Sequence, residues 1–181
     1  MNRRRLGVVL VAIGLAGLIG TAGAVAGSPG GMWGPSSGVR GRPTCASPTL
    51  PGQTVQVVLS DMGGGMMMGG RMMSVAAGPS TVGSGDVSFS VWNAGTMVHE
   101  FVVLPLPPDG VGTRPVGPNG RVSEAGSLGE ASRSCGQGAG DGIAPGAASW
   151  ATLHLAPGRY ELICNEPGHY AMGMFTELDS T

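Results

Sequence analysis

Near the end of the chain, Tyr160-Glu-Leu-Ile-Cys164-Asn-Glu-Pro-Gly-His169-Tyr-Ala-Met172-Gly-Met174-Phe175 sets a thiol, an imidazole and thioethers on one short loop, in the spacing Cys-x4-His-x4-Met. A thiolate and imidazoles hold copper in both of its oxidation states, and a weak, distant thioether completes such a site. One more histidine would finish the set. The chain has three. His154 lies on the polar phase of an alternating segment, between Leu153 and Leu155, and is expected to face solvent. His99 follows the turn Asn93-Ala-Gly-Thr96 at the head of an apolar segment, where its side chain can face a loop at the same end of a sandwich. His99, Cys164 and His169 therefore make a His2Cys set, with Met174 available as the weak axial group and Met172 close enough to compete for that place.

The elements that must position these residues read as strands. Thr54–Leu59 is β-branched and partly alternating, and Met72–Ala76 is expected to return beside it. Asp86–Trp92 alternates most cleanly, with Val87, Phe89 and Val91 on one face and Ser88, Ser90 and Trp92 on the other. Met97–Leu104 is expected to be a strand whose beginning carries His99. Trp150–Leu155 and Arg159–Cys164, joined at Pro157-Gly158, read as a hairpin, and Met174–Leu178 is a last short strand. Between them, Pro105–Ser149 is rich in Gly and Pro and shows no clear strand. A short helix is expected around residues 123–131, weakened by Gly126 and Gly129. Six or seven short strands with little helix are the pattern of a two-sheet β-sandwich.

The 181 residues suit one ordinary domain with extensions. Gly and Pro exceed a quarter of the chain, so long irregular segments surround a modest core. Arg3-Arg4-Arg5, an apolar stretch from Leu6 and the small residues Ala24 and Ala26 read as an export signal over residues 1–26. Cleavage after Ala26 is favoured over retention as an uncleaved anchor, the one way the chain would meet a membrane. Either outcome places the domain outside the cytoplasm, secreted or at the outer face of the cytoplasmic membrane. Residues 27–51 hold turn formers without hydrophobic period and read as a flexible linker, leaving residues 52–181 as the folded domain. Beyond residue 26, seven arginines face eleven acidic residues and there is no lysine, a net charge of −4. No basic stripe exists to neutralise phosphates, which argues against nucleic acid. With Cys164 taken as a ligand, Cys45 and Cys135 are left as a pair able to form a disulfide in an oxidising compartment.

The segments Asn93-Ala-Gly-Thr-Met-Val-His99-Glu-Phe-Val-Val-Leu and Tyr160 to Met174 resemble the cupredoxin family of blue copper proteins, and the Cys-x4-His-x4-Met spacing is most similar to the sulfocyanin, rusticyanin and auracyanin branch. The resemblance covers about residues 53–179. It implies an all-β, Greek-key β-sandwich of the cupredoxin type, here with a long Gly/Pro-rich insertion. It also implies one type 1 copper ion on His99, Cys164, His169 and Met174, with Met172 at the apolar rim. Many members place Asn or Ser after the first histidine to tie the ligand segments together; Glu100 stands there instead, and an ionised carboxylate cannot donate. The function implied is transport of single electrons between redox partner proteins by a monomer. His169 is expected to be the partly exposed ligand, and Pro167, Gly168, Tyr170, Ala171 and Met172 a largely uncharged docking patch.

Other chemistries fit the residues less well. A structural zinc site is usually closed by strong Cys or His donors, whereas a thioether stands here. Three histidines, two already used, cannot build a multinuclear catalytic cluster, so an enzyme is not expected. Copper storage or delivery is the alternative, from the six methionines between Met62 and Met73, although so loose a Gly-rich run also reads as a hairpin loop.

Overall fold

The computed structural model describes residues 44, 45, 47–61 and 73–181. The expected export signal, residues 27–43 of the expected linker and residues 62–72 of the methionine run lie outside the described residues. The elements are β1 (Gln53–Ser60), β2 (Ser74–Gly78), β3 (Thr81–Val82), β4 (Gly85–Asn93), β5 (Val102–Pro105), β6 (Gly129–Glu130), β7 (Gly136–Gln137), β8 (Ala148–Leu155), β9 (Gly158–Ile163) and β10 (Phe175–Ser180).

They make two mixed sheets, ordered β2-β1-β4-β8-β7 and β3-β10-β9-β5-β6. In β4 the expected inner face holds, with Val87, Phe89 and Val91 fully buried, and Ser90 and Trp92 opposite are half-buried; Ser88 on that outer face is fully buried as well, its hydroxyl bonded to Pro51 O and the Thr152 hydroxyl. β4 lies parallel to β1, with Val55 beside Phe89 and Val57 beside Val91. These residues pack with Val103, Tyr160, Leu162, Cys164, Met174 and Leu178 from the second sheet and its adjoining loop into one apolar core. Phe101, just before β5, stacks tilted on Phe89 at 5.2 Å between ring centroids and is fully buried. A Phe101→Ala protein should lose about 3–5 kcal/mol of stability, read from its denaturant midpoint.

β9 is buried on both faces. Tyr160, Leu162 and Cys164 enter the main core, whereas Ile163 joins Val102, Leu104, Val122 and Tyr170 in a second apolar layer, with Phe175 against it. Residues of the long insertion cover that outer face. Glu161, on the same face, is fully buried and is compensated there: it accepts from Arg114 Nε at 2.6 Å, Gly112 N at 2.7 Å and Tyr170 Oη at 2.9 Å. A buried carboxylate is tolerable only with such partners.

Several expectations need correction. β8 and β9 are not a hairpin: they belong to different sheets, and the Ala156-Pro157 corner crosses between them, closed by Tyr160 Oη donating to Ala156 O at 2.8 Å. Alternation tells which face is buried, not which strand is the neighbour. The strand expected from Met97 begins only at Val102, and His99 makes an isolated two-way bridge with Ile143 instead. No helix forms around residues 123–131; the region has turns and the short β6 and β7. The last part of the expected linker is attached to the domain. Cys45 is disulfide-bonded to Cys135, Thr44 N donates to Gly146 O at 2.7 Å, and Ser47 and Ser90 hydroxyls meet at 3.1 Å.

Candidate metal centre

His99 is held from three sides. Its backbone exchanges hydrogen bonds with Ile143 of the insertion (His99 N to Ile143 O 3.2 Å, Ile143 N to His99 O 2.7 Å). Fully buried Asn93 shapes the turn before it, donating to Met97 O at 2.8 Å and Ile143 O at 2.7 Å and accepting from Gly95 N at 2.8 Å. Asp61, at the end of β1, accepts from Thr96 N and Met97 N and lies 3.9 Å from His99 Nε2, a buried nitrogen with no hydrogen-bond partner among the described residues. The start of the β1–β2 connection therefore lies beside the histidine.

The second segment leaves β9 at Cys164 and returns at β10 through consecutive turns. Cys164 N donates to Met174 O at 3.0 Å, His169 N to Glu166 O at 3.0 Å, and Met174 N to His169 O at 3.1 Å. These bonds close the loop on itself and bring Cys164, His169 and Met174 back together.

The two segments meet in a small triangle of donor atoms. Nδ1 of His99 lies 3.2 Å from Nδ1 of His169, and Cys164 Sγ lies 3.7 and 3.4 Å from them. With metal–sulfur and metal–nitrogen bonds of about 2.3 and 2.0 Å, three donors in one plane around an ion stand about 3.5–3.7 Å apart, so the triangle needs little adjustment to receive one. The donor set suits a metal electronically as well. Burial lowers the His99 pKa to about 4, with His169 beside it adding to the effect, and burial also lowers that of His169. Both rings are thus neutral, with a lone pair to give. Burial pushes the Cys164 thiol up to about 12, against the N–H groups of Glu100 (3.3 Å) and Glu166 that point at the sulfur. Metal binding must displace that proton. The His-Cys-His group fits a blue copper site.

No family model matches the chain, and no curated protein matches it. Solved structures similar to it include rusticyanin from Thiobacillus ferrooxidans, 21% identical over 77% of this chain and 88% of that one, with a TM-score of 0.42. An auracyanin from Roseiflexus castenholzii is 19% identical over 72% and 99%, with a TM-score of 0.45. Auracyanin A, a blue copper protein of Chloroflexus aurantiacus, is 16% identical over 71% and 99%, with a TM-score of 0.44.

The remaining site residues fall as follows. Met174 is fully buried in the main core next to Cys164, whereas Met172 is half-buried, its methyl standing over Gly168. His169 is 4% exposed, less than expected for the accessible ligand, yet above the 0% of His99, Cys164 and Met174. Tyr170 is buried beneath the loop and does not belong to a surface patch; Pro167 and Ala171 are exposed, as are Met97 and Val98 just before His99. His154 is exposed and pairs with Asp86 at 3.0 Å. Glu100 is engaged by Arg121, a residue that sequence reasoning missed. The available signal was charge balance: Glu100 and Glu166 flank the ligands within apolar segments and require a cation.

Proposed function

We propose that the chain is an exported mononuclear blue copper protein that carries single electrons between redox partners. One observation carries this reading: two neutral imidazole nitrogens and a buried sulfur converge within 3.2–3.7 Å on a site walled off from water. Copper held there supplies a one-electron couple. His99 and His169 give nitrogen donors, Cys164 the thiolate, and Met174 the weak axial thioether. The residues do the rest by staying still. His99 is fixed through Ile143, Asn93 and the turn that Asp61 closes, and the Cys164–Met174 loop is closed on itself by backbone bonds. A cage that keeps one shape lets an electron enter and leave without rearrangement of the protein. N–H donation to the sulfur from Glu100 and Glu166 favours its ionised form.

Around His169, the exposed Pro167 and Ala171 with half-buried Met172 offer an uncharged face, to which Met97 and Val98 add. Small apolar contacts of this kind suit brief encounters with redox proteins. The Cys45–Cys135 disulfide and the Arg-flanked apolar N-terminus support residence outside the cytoplasm. The ligand set supports an electron carrier over an enzyme, because His154 is engaged elsewhere and no histidine is left for a second metal.

The decisive measurement is the absorption spectrum of the chain loaded with one equivalent of copper(II). An intense thiolate charge-transfer band in the visible is expected; a colourless protein would refute the reading. A Met174→Gln protein keeps the band, but its reduction potential falls, because an amide oxygen favours copper(II) more than a thioether does. A tenfold change in the preference between the two oxidation states corresponds to about 59 mV, and at least that is expected. Met172→Gln should leave the potential unchanged.

A further inference from the structure

Glu100 follows one ligand and Glu166 lies between two others, so each ligand segment brings a carboxylate to the edge of the site. A single guanidinium spans them. Arg121 Nη1 donates to Glu100 Oε2 at 2.8 Å and Nη2 to Glu166 Oε2 at 2.9 Å. The side chains are 31%, 13% and 18% exposed, respectively, so water screens this triad less than a surface pair. Arg121 is placed by a small hairpin of the insertion, in which Val116 bridges Val122, Gly117 N donates to Arg121 O at 2.7 Å and Gly120 N to Gly117 O at 2.9 Å.

The same hairpin grips the ligand loop at two further points. Gly168 N donates to Gly120 O at 2.8 Å, and Val122 N donates to Asn165 Oδ1 at 2.8 Å while Asn165 Nδ2 returns a bond to Val122 O at 3.1 Å. The approach at Gly120 is as close as backbone allows: its φ is +76°, and a Cβ there would stand 2.9 Å from Gly168 N.

We propose that Arg121 is a positioning residue of the metal site, joining the two segments that carry the ligands and offsetting the two carboxylates beside them. This rests on the blue copper reading. Two separate N–H groups on one rigid fork reach two separate carboxylates, which a lysine ammonium cannot reproduce in the same geometry. Losing the cation leaves two negative charges that favour the more positive, oxidised state of the site.

The test uses the full chain and its Arg121→Gln and Arg121→Lys variants, copper-loaded and metal-free. In Arg121→Gln the reduction potential should fall by at least about 59 mV, a tenfold shift toward copper(II). In the metal-free protein, amide hydrogen exchange at Gly168 and Val122 should quicken about tenfold, a readout independent of copper. Arg121→Lys should restore much of the potential but not the exchange protection. Native potential and native exchange in Arg121→Gln would overturn the proposal. Arg121→Lys indistinguishable from the native protein in both readouts would overturn the joining role. A native protein without the visible band would defeat the copper reading instead, and the metal-free exchange would still test the clamp.

Discussion

Copper-loaded Cys164→Ser protein is expected to be colourless. The visible band comes from charge transfer out of a thiolate, and an alcohol oxygen offers neither the soft donor nor the accessible ionised form. The triangle would then keep its two nitrogens but lose its only anionic donor. Copper(II) binding should weaken by at least about a hundredfold, the upper end of what even outer-shell changes cost at metal sites. The fold should survive, because the change is a single buried atom and the Glu100 N–H that now points at the sulfur can donate to the hydroxyl. A stability loss of about 1–2 kcal/mol is expected for exchanging a buried thiol for a more polar group. Retained near-ultraviolet circular dichroism together with a lost visible band would assign the effect to the ligand. A variant that still shows the native band would remove Cys164 from the site.

The second large effect is on stability. Cys45 and Cys135 stand 90 residues apart in sequence, and their bond closes a loop containing β1 to β6. Chain-entropy arguments give about 4–5 kcal/mol for a loop of that length, and measured losses run about 2–5 kcal/mol. The double Cys45→Ala, Cys135→Ala protein should therefore melt about 4–20 °C lower, taking roughly 2–4 °C per kcal/mol for a chain of this size. The bond also anchors the insertion close to where it supports His99: Cys135 N donates to Ala148 O at 2.7 Å, and Ile143 lies between those residues. The visible band of the copper-loaded variant should persist at room temperature, since every ligand remains. Calorimetry of native and double-variant proteins under matched copper loading checks this, and equal midpoints would refute it.

The sandwich could be read in advance wherever one side of a strand is wet. β4 shows why: Ser90 and Trp92 alternate with Val87, Phe89 and Val91, and the period alone places the buried face. The ligands were legible for a chemical reason, since Cys164, His169 and Met174 sit on one short loop and only His99 needed a fold to join them. Legibility ended where contacts are long in sequence and few in number. The pairing of β9 with β5 and β10 left no mark on the Pro157-Gly158 corner, so the corner looked like a hairpin. Residues 105–149 carry no period because turns, isolated bridges and single ion pairs hold them, among them Arg114 with Glu161 and Arg121 with Glu100 and Glu166. Such pairs can be sought from sequence only as a balance of charges, not as an assignment of partners.

The cover over the outer face of β9 has a consequence for the behaviour of the molecule in solution. Without it, Val102, Leu104, Ile163 and Phe175 would lie as a bare apolar stripe, with the carboxylate of Glu161 stranded among them. Exposed stripes of that kind drive self-association. The insertion therefore acts as a solubility device as well as a support for the site. A chain shortened to an ordinary sandwich would meet aggregation before it met any loss of metal chemistry.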